Sequence, residues 1–195
     1  MSQRRILFLT PTVPWPADSG GRIRTQALIT HAAREAQITL FCVAPPGGEG
    51  PSPATLTDAC ERIEVFPRTR PGLLSHFALS QLERFFHSAP MHTAVQRELS
   101  NGSHDLIHID ELSIARSVGS TSTTPVLLHH HKLDARLAHD LATRRLGVSF
   151  SEVAKITALE RRCSRLHTHH AACPSSAVRY LHGRSSIPSP PRPHP

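Results

Sequence analysis

The 195 residues carry 38% hydrophobic side chains and a formal charge of +7, and with Lys132 and Lys155 as the only lysines nearly all of that positive charge is arginine. The length suits one packed domain, since single cores commonly form from roughly 100 to 200 residues. No apolar run nears the roughly 20 residues that cross a bilayer, and the short run Ile6 to Leu9, followed at once by prolines, is no secretory signal core, so a cytoplasmic protein is expected.

The basic balance favours anionic partners such as phosphates or acidic lipid surfaces. One Trp, one Tyr and the absence of any DNA- or RNA-binding signature argue against nucleic acid. Cys42, Cys60, Cys163 and Cys173 form no C-x-x-C pair, which argues against a zinc knuckle or a redox dithiol and leaves them as small buried hydrophobes or bystanders.

Strand-like and helix-like segments alternate, the signature of a parallel sheet covered by helices. The fold class expected is therefore α/β, a Rossmann-like parallel sheet with helices on both faces. Arg4–Thr10 is a continuous apolar run of the kind buried on both sides. A proline-rich loop follows, and over 20–35 the residues Ile23, Ala27, Leu28 and Ala32 recur at helical spacing. Residues 38–43 read as the second strand, 44–53 as a Pro/Gly loop and 61–66 as the third strand. A helix is expected over 73–86 with Leu74, Phe77, Leu82 and Phe85 as its apolar face, and another over 91–99 after a break at Pro90. The Asn101-Gly102 turn announces a fourth strand at 104–110, a short helix covers Leu112–Val118, and the fifth strand follows Pro125 as Val126–His130. Helical period returns from Leu133, most clearly over 152–165, ahead of a last strand at Thr168–Ala172 and a helix at 175–181. From Arg184 the composition is almost only Ser, Pro, Arg, His and Ile. The domain is accordingly set at 1–183, with 184–195 expected as a disordered tail.

The stretch from Thr10 to Arg24 carries the most chemistry. In open α/β sheets ligands bind beyond the carboxyl ends of the strands, and glycines at a helix N-terminus let backbone N–H groups approach a phosphate. Gly20 and Gly21 are therefore candidate substrate-binding residues. Neither G-x-G-x-x-G nor G-x-x-x-x-G-K-[ST] is present, which excludes a dinucleotide fingerprint and a P-loop. Asp18-Ser19-Gly20-Gly21 reads equally as a plain turn with an N-cap.

The run R-I-L-F-L-T-P-T-V-P-W-P-A-D-S-G-G-R-I-R-T, residues 5–25, resembles the opening of family 4 glycosyltransferases, especially the exopolysaccharide-associated sugar transferases. The resemblance extends to about residue 183. H-D-L-I-H-I-D-E-L at 104–112 is similar to the family's fourth strand, P-V-L-L-H-H-H at 125–131 to the next, and L-E-R-R-C-S-R-L with A-A-C-P-S-S-A-V-R-Y-L to the closing helix, strand and helix of an N-terminal half. It implies a GT-B fold, in which two Rossmann-like domains face each other across a cleft and the N-terminal one mainly binds the acceptor. Gly20 and Gly21 would then lie against the donor diphosphate, with Arg24 at the basic helix start and His131 at a strand end also binding substrate. Asp110 stands where the family carries a polar residue, often histidine, near the reacting sugar. It is the candidate catalytic residue, able to contact a sugar hydroxyl or orient the acceptor.

The implied activity is retaining transfer from a UDP- or GDP-sugar to a glycan or lipid-linked acceptor, with no metal and no other cofactor. The net charge would suit peripheral contact with an anionic membrane. Family members continue into a second Rossmann domain, and Ile187-Pro188 stands where the linker to it would begin. The chain is thus expected to be truncated or frame-disrupted and inactive alone. A stand-alone binding or regulatory module on the same fold is the alternative. His129, His130 and His131, and His167, His169 and His170, form two clusters. Adjacent strand residues point to opposite faces, and no carboxylate or cysteine stands at ligand spacing, so both read as surface histidines.

Overall fold

The computed structural model describes residues 3–45, 52–119, 123–130, 134–165 and 168–172. The expected helix at 175–181, the tail at 184–195, Ile187-Pro188 and His131 lie outside the described residues.

Six parallel strands form one sheet: β1 (Arg4–Thr10), β2 (Ala36–Ala44), β3 (Arg62–Pro67), β4 (Leu106–Ile109), β5 (Val126–His130) and β6 (Thr168–Ala172). Their order across the sheet is β3-β2-β1-β4-β5-β6. The chain leaves β1 in one direction to build β2 and β3, then returns to β1's other edge to build the rest. That reversal between β1 and β4 is a topological switch point, where such sheets open a crevice at the carboxyl ends of their strands.

Both faces carry helices, as the alternation of segments predicts. Side chains alternate across each strand, so Leu7, Leu9, Ile107, Ile109, Val126 and Leu128 build one core. Phe8, Ile38, Leu40 and Cys42 build the other. The first core is closed by helix α5 (Ala89–Asn101), a 3-10 helix (Leu112–Val118), α6 (Asp134–Thr143) and α7 (Phe150–Arg165). The second is closed over β1 and β2 by α1 (Gly20–Ala32) and α2 (Ala54–Ala59). At β4 and β5 the second face is more open among the described residues. On the first face Ile107, Ile109, Val126 and Leu128 are buried, whereas on the second Leu106, His108, Leu127 and His129 are only half-buried.

Three sequence expectations change. The short helix α2 falls in the stretch after the Pro/Gly loop and has no periodic pattern long enough to announce it. The helix expected over 73–86 is two short ones, α3 (Leu73–Ala78) and α4 (Gln81–Phe85), separated by extended backbone at Leu79 and Ser80. Its apolar face is not a core face, because Leu74, Phe77 and Phe85 are 87%, 70% and 59% exposed. Ser80 instead starts α4 with a capping box, its hydroxyl accepting from the Glu83 backbone while Glu83 Oε2 accepts from the Ser80 N–H. Pro90 does not break a helix but lies in the first turn of α5, where its missing N–H costs nothing.

The three described cysteines, Cys42, Cys60 and Cys163, are buried and free, as the sequence suggests, and Cys173 lies outside the described residues. Burial pushes the Cys42 and Cys163 thiols up to about 12 and the Cys60 thiol up to about 11, which removes their nucleophilic form at neutral pH. Among the described residues, no helix is long and apolar enough to cross a membrane.

At the amino ends of the strands, a polar cluster ties α5 to β3. Arg62 Nη2 donates to Glu98 Oε1 at 2.5 Å, and His104 Nδ1 lies 3.6 Å from Glu98 Oε2. Burial raises the Glu98 carboxyl, but the Arg62 hydrogen bond and charge, with His104 and Ser103, outweigh it and hold Glu98 below its ordinary 4.5. Burial, helped by the charges of Arg5 and Arg62, holds the His104 imidazole below 6.5 against the pull of Glu98. In both cases the unfolded chain takes up a proton before the folded one does, so stability is lost as pH falls. The urea midpoint should decline as pH drops below 6.5 through His104, and further below 4.5 through Glu98. Glu98→Gln should lower the midpoint at neutral pH and flatten the second decline; a midpoint unchanged from neutral to acid pH would contradict this assignment.

Candidate functional site

The site is assembled at the switch point from the loop after β1, the first turns of α1, and the ends of β4 and β5. The loop is pinned rather than free. Val13 and Trp15 are buried in the second core, Thr10 Oγ1 donates to the Thr12 carbonyl at 2.6 Å, and Gln26 Nε2 reaches back to the Pro14 carbonyl at 2.7 Å. These contacts aim the start of α1 at the carboxyl end of the sheet.

Ser19 is the N-cap of α1, its hydroxyl accepting from the Arg22 N–H at 3.5 Å. Asp18 pairs with Arg22 four residues on, Nη1 to Oδ1 at 3.2 Å, and so neutralises that arginine. Gly20 and Gly21 open the helix and are exposed, and a Cβ added at either meets nothing within 4 Å. Neither has the positive φ that calls for glycine, so the protein itself makes no steric demand for a bare backbone there. Arg24, one turn further, keeps Nε and Nη2 out of solvent without a hydrogen-bond partner among the described residues.

Thr25 joins the helix to the sheet. Its hydroxyl donates to Asp110 Oδ2 at 2.6 Å, linking residues 85 apart in the chain, and both residues are buried. Asp110 directly follows β4, and its own N–H donates to the Leu9 carbonyl of β1 at 2.9 Å. The other carboxyl oxygen, Oδ1, lies 3.5 Å from His129 Nδ1 on β5. His108, two residues before Asp110, stacks flat on Phe8 with ring centroids 4.1 Å apart and meets His129 edge to face at 6.0 Å.

The structure therefore places Gly20, Gly21 and Arg24 on the first turns of one helix and brings Asp110 to that same helix through Thr25. Asp110 is 2% exposed, so substrate meets this group through its neighbours more readily than through the carboxyl itself. Sequence reasoning missed Thr25, whose role depends on a partner 85 residues away. It also read His129 as a surface residue and assigned His108 no role. The signal for His108 was present, as an imidazole inside an otherwise apolar strand two residues before an acid.

Compared with known proteins, the chain matches no protein-family model and no curated protein. The likeness to family 4 glycosyltransferases thus rests on the motifs of this sequence alone.

The Thr25–Asp110 bond is the most direct link between α1 and β4. Thr25→Val keeps the shape and removes one hydrogen-bond donor from a buried carboxyl. It should cost about 1 to 3 kcal/mol in urea unfolding, whereas Thr25→Ser should stay within about 1 kcal/mol of the parent chain. Equal stability of the valine variant would show that the bond contributes nothing.

Proposed function

We propose that the chain is the acceptor-side domain of a retaining, nucleotide-sugar-dependent glycosyltransferase acting in polysaccharide or glycoconjugate synthesis. The observation that carries this reading is the coincidence, at one switch point, of an open glycine-led helix N-terminus with a buried Thr25–Asp110 pair that faces the half-buried His129. The first is suited to a diphosphate and the second to a polyhydroxyl substrate.

In this reading the donor diphosphate lies against the N–H groups at Gly20 and Gly21, where partial positive charge and bare backbone favour close approach. The guanidinium of Arg24 adds a full charge that cannot be neutralised by deprotonation. Transfer breaks the bond between the anomeric carbon and the diphosphate oxygen and forms one to an acceptor hydroxyl oxygen, whose proton leaves with the nucleoside diphosphate. Fixed donors aimed at the departing diphosphate stabilise the charge that develops there. Asp110 acts as a positioning residue: it holds Thr25 on one oxygen and faces His129 with the other, and His129 contacts the sugar or acceptor hydroxyl. A second Rossmann domain would complete donor binding, and contact with an anionic membrane would draw on the net charge of +7.

Calorimetric titration of the chain with UDP, GDP and their sugar conjugates tests the reading. Binding by one nucleotide family with a Kd on the order of 1 mM is expected, because in this reading the acceptor-side domain supplies only part of the donor contacts. Replacing Gly20 and Gly21 together by alanine should weaken that binding about 10-fold, or 1.4 kcal/mol, while leaving stability unchanged or raised. Arg24→Met should weaken it by a similar factor. Failure of all these nucleotides to bind, or binding indifferent to these variants, would remove the proposal and favour a non-catalytic module on the same fold.

A further inference from the structure

The imidazoles of His108 and His129 and the carboxyl of Asp110 converge on one spot from two neighbouring strand ends. One donor atom from each lies within 4.8 Å of the others. No spacing rule in the sequence joins them, because His129 is 19 residues beyond Asp110 and on another strand, yet their adjacency follows from the ladder. His108 is paired with Leu127, so the next inward-facing position along each strand brings Asp110 alongside His129. Two neutral imidazole nitrogens and one carboxylate are a donor set that suits zinc, cobalt or ferrous iron better than magnesium or calcium, which prefer oxygen alone.

We propose that His108, Asp110 and His129 bind one divalent transition-metal cation, zinc foremost, at the carboxyl ends of β4 and β5. The Oδ1-to-Nδ1 edge of 3.5 Å is close to the ~3.3 Å that separates two ligands on a tetrahedral zinc. The widest edge of the triangle, within 4.8 Å, needs to contract by up to about 1.5 Å to reach that spacing. The supporting contacts are those a metal site requires. Phe8 holds the His108 ring plane, and Thr25 holds Oδ2 of Asp110. Three protein ligands leave a fourth position for water or a substrate oxygen on the half-covered face of the sheet. The site stands independently of the nucleotide-sugar reading, since a cation binds or fails to bind whether or not a nucleotide does. It also differs from what the family resemblance implies, namely transfer without a metal.

Cobalt(II) is the probe, because its visible absorption reports coordination by nitrogen and oxygen donors at low symmetry. The full chain, stripped with EDTA, is titrated with cobalt and then with zinc as competitor. A single saturable equivalent with strong visible bands, displaced by zinc, is expected. His108→Phe, which keeps the aromatic stack on Phe8, and His129→Gln should each weaken binding about 100-fold or more, and Thr25→Val about 10-fold. A variant with His167, His169 and His170 all changed to Gln should bind as the parent does. Thermal melts in EDTA establish that each variant is folded, and His129→Gln, at a half-buried position, carries the test if His108→Phe unfolds. Absence of a stoichiometric equivalent, or binding that survives both single-histidine variants, or binding that is lost with the 167–170 cluster instead, overturns the assignment.

Discussion

Strand β1 hydrogen-bonds to β2 along its whole length on one side and to β4 on the other, so the sheet is built outward from it in both directions. A strand in that position has both faces and both edges buried, and Leu7, Phe8 and Leu9 are accordingly no more than 1% exposed. Everything at the candidate site depends on this arrangement. The loop that leaves β1 has only one way to turn, over the carboxyl end of the sheet. The backbone of Asp110 is tied to the last residues of β1, so that β4 ends level with the start of α1. Without β1 in the middle, Thr25 and Asp110 would have no reason to meet.

The two faces of the sheet are treated differently, and the difference creates the site. The face bearing Leu7, Ile107 and Leu128 is covered by α5, the 3-10 helix, α6 and α7, and from β1 to β5 its core is apolar. On the opposite face α1 and α2 reach over β1 and β2, and at β4 and β5 the apolar series is interrupted by His108 and His129. Buried polar groups are retained only where partners satisfy them. Here the partners are one another, a threonine hydroxyl on a helix, a carboxyl at a strand end and an imidazole on the next strand. A polar group assembled from three elements is sensitive to small shifts in any of them, which is a property of binding sites more than of cores.

The exposed apolar residues of α3 and α4 show where periodicity misleads. Leu74, Phe77, Leu82 and Phe85 are spaced as one face of a continuous helix, but the chain is extended at Leu79 and Ser80, and Ser80 caps a new helix. The capping box and the ion pair between Glu83 and Arg116, with Nε 2.7 Å from the carboxyl, anchor α4 to the 3-10 helix by polar contacts instead. A serine followed three residues later by glutamate was visible in the sequence as a start signal.

The sequence by itself determined the order and type of most elements, because each rests on local physics. A continuous apolar run in Arg4–Thr10 makes a buried strand, Gly102 ends α5 in the left-handed conformation, and Ser19 ahead of Gly20 makes a helix cap. These preferences act over a few residues and survive translation into three dimensions. They also located Gly20, Gly21, Arg24 and Asp110 at strand and helix ends, where chemistry in such folds resides. Only the tertiary structure decided which ends meet. The contact of Thr25 with Asp110, the stacking of His108 on Phe8 and the approach of His129 to Asp110 all depend on strand order and register. Those are set by packing of the whole sheet rather than by any neighbouring residue, so no local pattern encodes them.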